Sequence, residues 1–468
     1  MTPPAVPPAV TPSAATPSSA LLLKDCLLVQ PSARHPGLAR HDVLVEGNLV
    51  RRVAPSIDAP AGARLIDCST HVVVPGFVNT HHHFFQTLTR NLPAVQDAKL
   101  FDWLVHLYGV WRRIDAEAVT VSTLLALAEL AKTGCTATTD HLYLYPRGAD
   151  ADFTALQFAA ADLLGMRFAP CRGSMSRSRK DGGLPPDDVV QREEDILSDS
   201  ERAVRAFHDP SPLAMHRVML APCSPFSVSE DLLKETAALA RRLGVRLHTH
   251  LAETADENEY CLERHGVRPL ALMERCGFVG PDVSFAHGIH FVDGELDALA
   301  RHGSQIAHCP TSNMRLGSGV CRVRDMLDRG IGVALAVDGS ASNDSSDFLG
   351  EMRNALLLQR VARGSSALGA RDVLEMATEG GARALGCERI GRIEPGYAAD
   401  IAVFDVGGLA YAGSLSDPLA ALVFAGYDHG TAYTIVNGRV VVDGGRLAAL
   451  DERELAERAN RAAARLIA

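Results

Sequence analysis

The stretch His71-Val72-Val73-Val74-Pro75-Gly76-Phe77-Val78-Asn79-Thr80-His81-His82-His83 runs from an apolar segment straight into three histidines. It reads as a buried strand opening into a loop, and alternate residues of a strand face the same side. His81 and His83 therefore point together while His82 turns away. A neutral imidazole is a good ligand for zinc or iron, and two on one face supply half a coordination sphere. Paired histidines are common, so the reading depends on further ligands downstream.

Outward from this strand, similar segments alternate with amphipathic helical ones. They are Cys135–His141, Arg167–Cys171, Arg217–Pro222, Val245–Leu251, Val283–His287, Gln305–Cys309 and Val333–Asp338, eight strands with the first. Repeated βα units predict an α/β fold, and eight of them fit a TIM-type (β/α)8 barrel whose reactive groups sit at the C-terminal strand ends. A doubly wound open sheet is the alternative, but no G-x-G-x-x-G loop follows the first strand.

The strand ends carry the polar residues such a barrel would use. The fifth strand, Val245-Arg246-Leu247-His248-Thr249-His250-Leu251-Ala252-Glu253, puts His248 and His250 on one face. His250, at the end, is the better ligand; His248, one layer deeper, reads as a packed, hydrogen-bonded interior histidine. Glu253 is either a surface charge starting the next helix or a carboxylate placed to move a proton. The sixth strand ends in His287 and the eighth in Asp338. An ionised aspartate leaving so apolar a strand needs a partner, because burying an unpaired charge costs several kcal/mol; a metal would be that partner. The fourth strand ends Ala221-Pro222-Cys223-Ser224-Pro225-Phe226 with no lysine to be carbamylated, which points to one ion rather than a bridged pair.

The flanks differ in texture. Leu21–Gln30 and Asp42–Val50, and at the far end Ala399–Phe404 and Tyr433–Val442, read as short strands and turns, neither flank able to bury a core alone. Both ends are therefore expected to fold together as a small β-sandwich beside the barrel. The expected divisions are 1–20, a disordered Pro/Ala-rich tail; 21–74 and 391–445, the two parts of the β domain; 75–390, the barrel; and 446–468, a C-terminal helix. A net charge of −10, with 47% hydrophobic and 22% charged residues, gives no electrostatic reason to expect nucleic acid or a membrane as partner. A small molecule is the expected partner. Ten cysteines without a C-x-x-C pair read as reduced thiols of a cytoplasmic protein. Asp181–Asp199, acidic and with Gly and Pro at its start, reads as an exposed loop, and the excursion 174–199 as a lid over the catalytic end. Arg172, Arg177 and Arg179 beside it can close on a substrate oxygen or face water.

The set His81-x-His83, His250-x-x-Glu253, His287 and Asp338 resembles the amidohydrolase superfamily, in its mononuclear branch of purine, pterin and triazine deaminases. The phrases Pro75-Gly76-Phe77-Val78-Asn79-Thr80, His308-Cys309-Pro310-Thr311-Ser312-Asn313 and Gly391-Arg392-Ile393-Glu394-Pro395-Gly396 belong to the same resemblance, which spans Leu21 to Gly445. It implies that His81, His83, His250 and Asp338 hold one divalent ion, zinc with iron as the alternative, and leave a position for water, whose pKa zinc lowers to about 7. It further implies that Asp338 accepts the water's proton, His287 orients the water and Glu253 protonates the ring nitrogen beside the attacked carbon. No organic cofactor is implied, and relatives of this kind form homo-oligomers.

The run His83-Phe84-Phe85-Gln86-Thr87-Leu88-Thr89-Arg90 and the excursion from Ser174 to Asp187 resemble the 8-oxoguanine deaminases. Gln86 offers a donor and an acceptor to a lactam or amidine edge, and Trp103 either stacks on a flat ring or packs the helix Phe101–Trp111. Guanine deaminases carry an arginine where Cys223 stands. A thiol there should admit a different purine edge, unless Cys223 is simply a small buried residue. The expected reaction is hydrolysis of 8-oxoguanine to urate and ammonia. Its competitors are aminohydrolysis of hydroxylated s-triazines, isocytosine or isoxanthopterin, and, from another class, a non-catalytic barrel scaffold.

Overall fold

A computed structural model describes residues 20–149 and 151–468; the tail expected over 1–20 lies, but for Ala20, outside the described residues. Eight strand positions form the central barrel. Parallel pairing runs Val333–Leu335, Gln305–His308, Val283–His287, Leu247–Leu251, Met219–Pro222, Cys171–Ser174 and His141–Leu142, and a second short sheet joins Phe77–Asn79, Cys135–Thr138 and Arg167–Phe168. The ring closes where Thr80 N–H donates to Leu335 O at 3.3 Å and Asp338 N–H donates to His81 O at 3.2 Å. A closed ring of this kind excludes the open doubly wound sheet.

The second and third strands each divide into two pieces, where the sequence predicts one continuous run. In the third strand Pro170 separates the pieces and has no N–H to give a ladder. In the second, Asp140 sits at the break, and its buried carboxyl group accepts from Phe84 N–H at 2.6 Å and so anchors the turn after the histidine triplet.

The opening stretch also divides. His71–Pro75 pairs with Leu21–Val29 and with Ile401–Asp405 of the flanks, whereas Phe77–Asn79 belongs to the barrel. Gly76 is the hinge between the two sheets: a Cβ there would lie 2.2 Å from the Thr136 side chain, so only glycine allows this approach. His81 and His83 stand in the extended segment beyond the ladder rather than in the strand itself.

The two ends of the chain do fold together, as one hydrogen-bonded sheet of nine strands that reaches from Leu49–Ala54 to Arg446–Leu447. Arg167 on the barrel ties this sheet down, its Nε donating to Asp400 Oδ2 at 3.0 Å with both side chains buried. The C-terminal helix, Glu452–Ile467, packs on Ala116–Lys132, where Arg458 makes a two-pronged pair with Glu117. No helix among the described residues is long and apolar enough to cross a membrane. Asp181–Asp199 is not wholly loop: its last residues form the start of the helix Glu193–Phe207.

Candidate active site

Buried imidazoles and one carboxylate converge at the C-terminal ends of the barrel strands. His83 Nε2 lies 3.1 Å from His250 Nε2, and Asp338 Oδ1 lies 3.4 Å from His81 Nε2 and 3.5 Å from His83 Nε2. The far side of each ring says where its proton is. His83 Nδ1 donates to the His141 carbonyl at 2.8 Å and His250 Nδ1 to the Cys223 carbonyl at 2.6 Å, and a carbonyl can only accept. Burial lowers the pKa of both rings, to about 4 for His83, so each is neutral and its Nε2 is a bare lone pair.

Two lone pairs facing each other in a buried site repel unless a cation lies between them. His81 Nε2 is likewise buried and without a hydrogen-bond partner, while His81 Nδ1 is held by His248 Nε2 at 2.8 Å and His248 in turn meets Ser284 Oγ. His81, His83 and Asp338 meet the spacing of a metal site as one group, and His81, His141 and His250 as another. Three imidazole nitrogens and a carboxylate oxygen suit a divalent ion such as zinc, and the residues present fit it.

Asp338 is placed by strain and by hydrogen bonds. Its φ is +65°, and His287 and Ala252 also adopt left-handed conformations, at φ +73° and +54°. Non-glycine residues held this way cost energy that the surrounding structure must compensate, and they cluster at functional sites. Ser312 Oγ–H donates to Asp338 Oδ2 at 2.6 Å and Gly339 N–H to Oδ1 at 2.6 Å. Burial works against the Asp338 charge, but the adjacent His81 ring and the neighbouring His287 and His83 hold it well below the usual carboxylate range.

Glu253 has the opposite environment. Burial first, then the charges of Asp338 and Glu257, push its carboxyl well above its ordinary value, which favours the protonated form. Its backbone is fixed by Glu257, whose carboxylate accepts from the N–H groups of Ala252 and Glu253, each at 2.9 Å. His287 Nε2 lies 3.5 Å from Glu253 Oε2 and 4.0 Å from Asp338 Oδ2. The Asn313 amide nitrogen donates to His287 Nδ1 at 2.9 Å, which puts the ring proton on Nε2, facing both carboxyl groups.

These groups open onto a cavity lined also by Gln86, Trp103, Tyr108, Tyr143, Cys223 and Phe226. A mostly aromatic and apolar wall with a few polar groups is the lining that small-molecule sites carry. No lysine or arginine is among its described lining residues. Trp103 serves both readings, lining the cavity while its ring meets Trp111 edge-on at 5.4 Å. Cys223 is buried, its thiol pushed up to about 12 by burial, so it stays protonated.

The arginines before the excursion do not line the cavity. Arg172 is buried, paired with Asp199 at 2.6 Å and laid over the Tyr145 ring; Arg177 donates to Tyr260 Oη at 2.9 Å; and Arg179 bonds the Leu184 carbonyl at 3.1 Å. Each is spent on structure. Sequence reasoning passed over His141, whose carbonyl orients His83 and whose ring stacks on His250 at 5.0 Å. A histidine at the end of a barrel strand was the available signal. Ser312 and Asn313 carried none beyond their place in a phrase of the resemblance, since their partners come from other strands.

The amidohydrolase family profile matches residues 72–441. The chain is 44% identical to an 8-oxoguanine deaminase of Pseudomonas aeruginosa over 427 residues, covering 91% of this chain and 94% of that protein. It is 39% identical to a hydroxydechloroatrazine ethylaminohydrolase of Pseudomonas sp. (strain ADP), covering 88% and 87%, and 34% identical to an isoxanthopterin deaminase from an unknown prokaryotic organism, covering 95% and 97%. Among solved structures it is similar to a zinc-complexed atrazine chlorohydrolase of Arthrobacter aurescens, with a TM-score of 0.90 and 28% identity over 95% of this chain and 100% of that one. An adenosine deaminase of Xanthomonas campestris with bound zinc superimposes with a TM-score of 0.87 at 28% identity, covering 96% and 99%. The profile spans most of the barrel and part of both flanks, and the chain belongs to the amidohydrolase family of hydrolytic enzymes.

Proposed function

We propose that this enzyme hydrolyses the exocyclic amine of an oxidised purine, converting 8-oxoguanine and water to urate and ammonia. The coarser activity, hydrolytic removal of an amine from a nitrogen heterocycle, is common to the three relatives above. The observation that carries the reading is the pairing of a protonated buried Glu253 with an ionised Asp338 on either side of His287, at the mouth of a cavity without a cationic side chain.

In this reading His81, His83, His250 and Asp338 hold one divalent ion, zinc by the donor set. When bound, such an ion supplies the acidity that makes water a nucleophile near neutral pH. Asp338, already ionised and with one oxygen occupied by Ser312, accepts the proton released as water attacks the amino-bearing carbon. His287 directs its Nε2–H at the same water and holds its attack angle. Glu253 gives its proton to the adjacent ring nitrogen, which lets the carbon become tetrahedral without building charge on the ring. Asp338 then passes the proton it accepted to the departing amine, which leaves as ammonia, while the hydroxyl on the attacked carbon becomes a carbonyl and returns its proton to Glu253. Gln86, Trp103 and Cys223 would read the heterocycle's face and edges from the cavity wall.

We also infer that the barrel spans 75–390 and that the flanks, 21–74 and 391–445, form a small β-sandwich capped by 446–468. Two apolar clusters on either side of the first strand, one with Leu21 and Leu23 and one with Leu22, Leu44 and Ile57, support the sandwich. The free state of all ten cysteines supports a cytoplasmic setting, and the exposed Leu357, Val361 and Phe424 on packed helices support a homo-oligomer.

The test is the ratio of kcat/KM for 8-oxoguanine to that for guanine, following urate and ammonia with zinc-loaded protein. A ratio above roughly a hundredfold is expected, more than one apolar contact supplies. Turnover of a hydroxylated s-triazine, isocytosine or isoxanthopterin in its place, with neither purine consumed, would overturn the assignment.

A further inference from the structure

The helix Leu100–Trp111 turns Leu100, Trp103, Leu104 and Tyr108 toward the cavity, positions three or four apart that share one face. Three of the four are apolar or aromatic surface. Tyr108 differs, because it ends in a hydroxyl that is wholly buried and has no hydrogen-bond partner in the protein. Close by, Trp111 Nε1–H is satisfied by Thr89 Oγ1 at 3.1 Å, whereas Gln86 Oε1 on the same cavity wall is also buried without a partner; Gln86 Oε1 can only accept, so Tyr108 is the unpaired donor of the two. Buried polar groups are nearly always paired, and one kept unpaired beside a substrate cavity is available for the substrate. A phenylalanine would fill the same space and leave no orphaned hydroxyl.

The chemistry of the partner follows from the surroundings. Burial holds the Tyr108 phenol protonated, so at neutral pH it offers an O–H. No cationic side chain is among the described lining residues, which disfavours a carboxylate or phosphate on the substrate. We propose that Tyr108 is a specificity-determining residue whose hydroxyl donates to a carbonyl oxygen of the bound heterocycle, on the side remote from the amino-bearing carbon. This rests on the oxopurine reading of the same site and gives that reading a residue: in 8-oxoguanine the 8-oxygen lies on the five-membered ring, away from C2. A monocyclic triazine has no atom there.

The test separates recognition from turnover. Tyr108→Phe removes one oxygen and keeps the ring. Wild type and variant, both zinc-loaded, are titrated calorimetrically with 6,8-dioxopurine and with hypoxanthine, which lack the amine and differ only in the 8-oxygen. Wild type should prefer 6,8-dioxopurine by about tenfold or more, the worth of one neutral hydrogen bond to a buried group, and Tyr108→Phe should reduce that preference to about twofold or less. Hypoxanthine affinity and zinc content should not change. In turnover of 8-oxoguanine the variant should raise KM and leave kcat within about twofold, since the contact is equal in ground and transition states. Equal weakening of both ligands would mean that Tyr108 only packs, and an unchanged preference in the variant would mean that another group reads the oxygen; either overturns the proposal, as does failure of 6,8-dioxopurine to bind. If wild type binds with this preference but does not deaminate 8-oxoguanine, the reaction assignment fails and the role of Tyr108 stands.

Discussion

Glu253 and Asp338 are carboxyl groups a few ångströms from the same histidine, and their environments drive them to opposite protonation states. That separation is what the proposed division into acid and base rests on. Replacing Glu253 with Gln keeps size and hydrogen bonding but removes the transferable proton, so turnover should fall by a factor of at least about 10² while metal content, measured by elemental analysis, stays stoichiometric. Asp338→Ala should behave differently. In the proposed site it removes a ligand oxygen and leaves Ser312 Oγ–H without its acceptor, so metal content and rate should fall together. A fully metallated, active Asp338→Ala protein would refute the ligand assignment.

At the scale of elements, the site depends on what holds the loops between strands. Gly339 follows Asp338, and a Cβ on it would lie 2.0 Å from Gln86 Oε1. Gly339→Ala should therefore push Gln86 out of the cavity wall and raise KM by about tenfold or more, with circular dichroism unchanged, because the loss is of substrate positioning rather than of fold. Further out, Asp347 caps the helix Phe348–Arg363 by accepting from Gly350 N–H and also receives His429 Nδ1. The hydrogen bond to Asp347 raises the His429 pKa above its ordinary value of about 6.5. A raised folded-state value stabilises the protein below the unfolded pKa and ceases to do so as pH rises through the folded one. The melting-temperature deficit of His429→Ala should be largest below pH ~6.5 and shrink above it; a deficit constant from pH 5 to about 9 would contradict the pairing.

For the whole molecule the decisive contact is between barrel and flank sheet. Arg167 gives Nε and Nη2 to Asp400, whose Oδ1 also accepts from Asn437 N–H at 2.6 Å, and both side chains are buried. Removing one partner strands a buried charge. Asp400→Ala should cost about 3–5 kcal/mol in urea unfolding, far more than an exposed pair would. A loss under about 1 kcal/mol would mean that Arg167 finds water or another acceptor once Asp400 is gone.

The sequence by itself marked the eight βα units, the strands that both ends contribute to one sheet and the histidines and aspartate that meet at the strand ends, because these depend on local period and on residues at strand ends. His81, His83, His250, His287 and Asp338 needed only that rule. Tertiary structure alone decided the rest. The apolar run His71–Val78 belongs to two sheets because Gly76 permits a backbone approach that no local period records. Arg172 is spent on Asp199 and Tyr145 rather than on substrate, and Ser312 and Asn313 meet Asp338 and His287 from another part of the chain. The electrostatics were decided there too: Glu253 and Asp338 are both carboxylic acids in the sequence, and only burial and neighbours from other strands push one towards its protonated form and the other towards its ionised form.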